Sequence, residues 1–180
     1  MIRTLPSRLW RRARLLAGCI HSPRDVLLAL RMVGWRLAMP MLKWALPLPR
    51  LVRLMWAEGR RRASEPDRQR IVTLAHALYG PRGGRLLDNC LERSLVTYRF
   101  LAEAGAEPQL VVAVSDSRGE VRGHVWVTVD GQPLREESEP LEEFAPMVTF
   151  GRGGVAISGE PPPVVPPTTP TPPGPASTAG

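Results

Sequence analysis

Two β-rich runs, QLVVAVS (109–115) and VRGHVWVTV (121–129), stand five residues apart, and the five are DSRGE. β-Branched and apolar runs bounded by a polar, glycine-containing cluster read as strands joined by a turn. The second run is followed at once by Asp130-Gly131, a second turn signal, and by QPLREE (132–137), a third strand that Pro133 weakens. Ahead of the first strand, Leu91, Leu95, Tyr98 and Leu101 recur at helical spacing, and Gly105 is a favoured stop. Asn89 is the expected cap of this helix, with Glu92 three residues on, and Asp88 is the alternative cap one position earlier. A helix feeding a set of turn-linked strands makes residues 88–150 a compact α+β unit, and LEEFAPMVTF (141–150) adds an apolar segment to it.

The flanks differ in kind. Residues 1–69 form a basic helical region, Arg/Leu/Trp-rich, in which Ser22-Pro23-Arg24-Asp25 is a helix start and Pro40, Pro47 and Pro49 are helix breaks. A second helix is expected around Ile71–Leu78, and residues 70–150 form the core domain. Residues 151–180 are a Gly/Pro-rich tail. Its last twenty residues hold nine prolines and no charge, so disorder or a polyproline conformation is expected there.

Charge follows the same division. Residues 1–70 carry 16 Lys+Arg against 4 Asp+Glu, a net of +12, while residues 71–180 carry 8 against 13, a net of −5. The basicity therefore belongs to the N-terminal third. Three readings of it stand: a helical subdomain packed on the core with arginines outward, a surface for a membrane or partner protein, or a nucleic-acid contact. The last is disfavoured by the Leu/Met/Ala content and by the lack of a zinc-finger or RNA-binding signature. Charges interrupt every apolar run short of a transmembrane length, and no signal-peptide pattern precedes the helices, so a cytoplasmic chain is expected, with peripheral contact at the inner membrane face as an option. Cys19 and Cys90 are too few and too far apart for a disulfide framework, and no Cys/His cluster points to zinc.

Cys90 opens the question of chemistry. A cysteine at a helix start has its thiolate stabilised by the helix dipole. His124 lies on the second strand, sharing a face with Arg122, Trp126 and Thr128, while Val125, Val127 and Val129 take the other. A helix-tip thiol facing a strand imidazole is what nucleophilic thiol catalysis requires, and an acid to orient the imidazole completes the set. The hairpin leaves two acids open. A type I′ turn centred on Asp130-Gly131 pairs Val129 with Gln132 and sets Glu137 opposite His124. A type I turn with a bulge at Gly131 sets Glu136 there. Cys19, in a helical Arg/Leu pattern, reads as packing, as does Trp126. His21 and His76 read as structural or surface residues.

With these residues in hand, NCLERSLVTYRFLAEAG together with GHVWVTVDGQPLREE resembles the transglutaminase-like cysteine peptidases of lasso-peptide biosynthesis, the B proteins that remove the leader from a precursor peptide. The resemblance covers about residues 70–150 and rests on the Cys-Leu and His-x-Trp pair with a strand between. It implies a transglutaminase-like or papain-like core, Cys90 as nucleophile, His124 as base, and Glu136, twelve residues after the histidine, as the orienting acid where the family usually has aspartate. That spacing favours the bulged turn. Val125 stands where alanine usually follows the histidine, and the aromatic that often precedes the cysteine is missing. The family also implies a precursor-peptide substrate, a separate leader-recognition protein (residues 1–62 lack the strand triplet of a fused one) and an ATP-dependent cyclase as partners, with no metal or nucleotide in the thiol step. The acceptor, water or an amine, is not readable from these residues, so a transglutaminase-type acyltransferase is the alternative enzyme. A non-catalytic protein that holds a membrane or partner through its basic helices is the alternative outside enzymes.

Overall fold

The computed structural model describes residues 22–59, 64–79, 86–117, 120–134 and 141–157. Helices come first among them: α1 (Pro23–Ala45), α2 (Leu48–Met55), α3 (Glu65–Tyr79) and α4 (Leu86–Glu103). Strands follow: β1 (Pro108–Ser117), β2 (Glu120–Val129), β3 (Gln132–Pro133), β4 (Ala145–Phe150) and β5 (Ala156–Ile157), with short 3-10 turns at Leu141–Glu143 and Arg152–Gly154. The strands form one antiparallel sheet in the order β3-β2-β1-β4-β5. This is the expected α+β architecture, helices leading into a sheet.

Helix α1 begins as its sequence requires. The Ser22 hydroxyl accepts from the Asp25 N–H and the Asp25 carboxylate accepts from the Ser22 N–H, a closed capping box with Pro23 at the first helical position. Asp25 is buried, and Arg70 of α3 stands 3.3 Å from it, so the cap also ties two helices together. Pro40 does not break the helix: α1 runs through it to Ala45. Its ring removes one helical hydrogen bond, but Met32 and Met39 on the inner side are fully buried, and that packing holds the helix on both sides of the proline. The expected break does fall at Pro47, which caps α2 two residues after α1 ends, and Pro49 sits in the first turn of α2.

The hairpin at Asp130-Gly131 has both central residues at positive φ, 53° and 77°, and Val129 pairs with Gln132. That is the type I′ geometry, which aspartate and glycine tolerate and which matches the twist of the flanking strands. The bulged turn favoured by the family spacing is not formed. The described third strand is short, Gln132–Pro133, followed by one more hydrogen bond from the Leu134 N–H to the Val127 carbonyl, 2.9 Å. At the other end the ladder extends through Asp116↔Val121 and Ser117↔Glu120, so three of the five DSRGE residues belong to the strands.

Side-chain alternation divides the core. Val125, Val127 and Val129 face the helices and join Leu95, Leu101, Leu110, Phe150 and the buried methionines of α1 and α2 in one cluster. Val111, Ala113 and Trp126 face the other way and are covered by Leu141 and Phe144. The basic helices are packed on this core. Arg31 bonds Glu103 at 2.7 Å and lies over the Phe100 ring, Arg36 lies over Tyr79 and donates to the Leu78 carbonyl, Lys43 reaches Glu92 at 2.8 Å, and Arg99 stacks on Trp35. Each such cation–ring contact contributes about 0.5–2 kcal/mol depending on exposure.

Residues 151–157, expected as the start of a disordered tail, are built into the fold. β5 pairs with β4, and Gly154, at φ 67°, lies so close to α2 that a Cβ there would stand 2.6 Å from the Arg53 Cα. Only glycine fits that contact. The proline-rich segment 158–180, Cys19, His21, Glu136 and Glu137 lie outside the described residues. Among the described residues no helix is long and apolar enough to cross a membrane.

Candidate active site

Cys90 lies on α4, but not at its tip. The helix starts at Leu86, so neither Asn89 nor Asp88 is its cap and Cys90 is the fifth residue. Leu86 and Leu87 are strong helix formers and extend the first turn backward. With Leu86 as the first helical residue, Asn89 is the first whose N–H can bond within the helix, so the Cys90 N–H already lies inside the ladder.

What aims this face of α4 is a line of residues four apart. Ser94, one turn after Cys90, donates its hydroxyl to the Val125 carbonyl at 2.8 Å in the buried contact between α4 and β2. Tyr98, one turn further, donates to the Gly151 carbonyl and accepts from the Gly154 N–H at 3.2 Å. Gly151 follows Phe150, whose partner on β1 is Leu110, itself paired with Val127. α4 therefore runs along β2 from the level of Val125 toward that of Val127. Cys90 extends the line by one turn the other way, about 6 Å, to the part of β2 that holds Gly123 and His124. Gly123 is the helix-facing residue there and carries no side chain.

His124 is buried and pairs across the ladder with Ala113, whose small side chain leaves the ring room. The ring stacks on Trp126, centroids 5.8 Å apart and planes at 26°, and tilts against Phe144 at 5.2 Å. Phe144 is in turn covered by the Arg122 guanidinium at 5.6 Å, which pairs with Glu143 at 3.3 Å. Cys90 and His124 thus come from adjacent elements at one level of the sheet. Cys90 belongs to the helix-side core, while the imidazole lies in an aromatic slot on the face closed by Leu141 and Phe144.

The imidazole is held between two aromatic rings and kept from bulk water, while the thiol lies on the helix side of the same level of the sheet. The proposed third member, Glu136, and its rival Glu137 lie outside the described residues. Among the described residues no group of three or more histidine, cysteine or carboxylate side chains could hold a metal ion. Sequence reasoning missed Ser94 and Phe144. Ser94 had a local signal, a polar residue four after the cysteine on an otherwise apolar helix face. Phe144 had none, because its place over His124 depends on the chain returning to the sheet.

A family model described as the transglutaminase-like superfamily matches residues 29–149, about two thirds of the chain. The matched stretch begins within α1 and ends within β4, and it includes Cys90, His124 and Glu136. No curated protein and no solved structure matches the chain.

Proposed function

The chain belongs to the transglutaminase-like superfamily, and on that footing we propose that it is a cysteine peptidase that removes the leader from a ribosomally made lasso-peptide precursor. The observation that supports the reading is the anchoring of α4, the helix of Cys90, on β2, the strand of His124, through the Ser94–Val125 bond.

In this reading His124 takes the thiol proton and the Cys90 thiolate attacks the carbonyl of the leader–core bond. N–H groups in the first turn of α4 receive the oxyanion as the tetrahedral intermediate forms. The imidazolium gives its proton to the departing amine, leaving an acyl-thioester on Cys90. Water, deprotonated by His124, then hydrolyses the thioester. The aromatic slot of Trp126 and Phe144 keeps the imidazole in one orientation. Glu136 is the acid assigned by the family spacing to hold its far nitrogen. A separate recognition protein delivers the leader, and an ATP-dependent cyclase takes the released core.

The test is cleavage of a lasso precursor by the full chain with a leader-recognition protein, followed by mass spectrometry, with a primary amine added in a parallel reaction. Two fragments whose masses sum to precursor plus water, absent with Cys90→Ala, support the peptidase. Capture of the amine instead of water supports acyl transfer, and an intact precursor in both reactions contradicts either enzyme.

A further inference from the structure

Helix α1 buries one side and leaves the other bare. Leu27, Leu30, Leu37, Met41 and Trp44 are 61, 63, 77, 67 and 90 % exposed. With the exposed Gly34 they recur in steps of three and four, so they form one stripe along about 25 Å of helix. The exposed charges of α1 are the cations Arg24 and Arg31, the latter paired with Glu103 of α4; its single acid, Asp25, is buried in the capping box. The stripe also lies in the part of the sequence that carries the net +12. A charge-poor apolar stripe edged by arginines, with a tryptophan at one end, has the make-up of a helix that rests at a lipid–water boundary.

We propose that this stripe seats α1 in the interface of an anionic lipid bilayer, the helix lying in the membrane plane with Trp44 at headgroup depth and Arg24 toward the lipid phosphates. A second copy of the chain is a poorer occupant. The exposed charges along α1 have one sign, so two such faces have no complementary pair to set their register, and anionic headgroups supply the missing sign. Pro40, exposed within the helix, also interrupts the regular backbone that a long helix–helix seam needs.

The test is co-sedimentation of the full chain with vesicles of phosphatidylcholine alone and of phosphatidylcholine with phosphatidylglycerol, beside its molar mass in solution by light scattering. The expected result is a monomer that binds the anionic vesicles, binds the neutral ones more weakly, and loses at least about tenfold in partitioning with L30Q/L37Q/M41Q, which removes three of the apolar side chains the interface would bury. Trp44→Gln, a single change at the most exposed of these residues, is expected to move binding in the same direction with a native circular dichroism spectrum. Three results overturn the proposal: no binding to anionic vesicles, binding that both variants retain, or a dimer that the substitutions dissociate while vesicle binding is absent.

Discussion

The Ser94 hydroxyl donates to the Val125 carbonyl at 2.8 Å, and this one buried bond fixes α4 on β2 at the residue next to His124. Both groups are out of water, so neither has solvent to fall back on. Ser94→Ala leaves the carbonyl unsatisfied and is expected to lower stability by about 1–3 kcal/mol in urea denaturation. In the proposed mechanism it also frees the helix to shift along the strand, so precursor cleavage under native conditions should fall more than the folded fraction does. A stability loss with unchanged cleavage by the folded protein would mean that the bond serves the fold alone.

Tyr98 gives a pH signature. Burial pushes its phenol up to about 12, with the bond from the Gly154 N–H acting in the opposite direction. An unfolded tyrosine ionises near 10. The folded state therefore keeps the proton that the unfolded state gives up, and stability falls as pH rises through the interval between those two values. Tyr98→Phe should flatten that alkaline limb of the stability curve. At neutral pH it should cost about 0.5–1.5 kcal/mol, because the Gly151 carbonyl and the Gly154 N–H lose the hydroxyl and keep only their own bond to each other.

Gly123 tests the level at which Cys90 meets β2. It faces α4 where the Ser94–Val125 anchor sets the cysteine. Gly123→Val adds a branched side chain on that side of the strand, a substitution that a β-strand itself favours. The account predicts at least a tenfold loss of precursor cleavage with the sheet intact by circular dichroism. Full activity would mean that Cys90 and His124 do not approach past this position.

The third member of the site is decided by two conservative variants. Family spacing selects Glu136, while the observed type I′ turn, with Val129 opposite Gln132, belongs to the register that sets Glu137 opposite His124. Glu136→Gln should lower cleavage by about two to four orders of magnitude, the scale of other acid-base contributions, and Glu137→Gln should leave it near wild type. The reverse result would assign the role to Glu137 on the strength of the turn.

How much was legible follows from range along the chain. The Ser22 cap, the buried face of α4 and the two long strands rest on neighbours within a few residues, and local pattern carried them. Pro40 reads locally as a break, because the burial of Met32 and Met39 that holds α1 through it depends on the rest of the core. The start of α4 was set four residues late because Asn89 and Glu92 form a convincing cap pattern, and nothing local reveals that Leu86 already continues the helix. The hairpin's two turn types differ by one residue of register, a choice made by the φ angles of Asp130 and Gly131 rather than by their identity. The cover of Phe144 on His124 and the addition of β5 beside β4 depend on chain returns from outside any sequence window. Cys90 and His124 were legible as a pair of residue types; that Ser94 is the residue holding them level was not.

The central claim is that Cys90 is a nucleophile activated by His124, and the rate of its alkylation by iodoacetamide at neutral pH, read by mass spectrometry, tests it most directly. Cys19 serves as the internal reference and His124→Ala as the comparison. Cys90 is buried, and burial alone would slow its reaction. The account predicts the opposite: Cys90 reacts at least about tenfold faster than Cys19, and His124→Ala removes that advantage. Equal or slower reaction of Cys90, unchanged by His124→Ala, would contradict it.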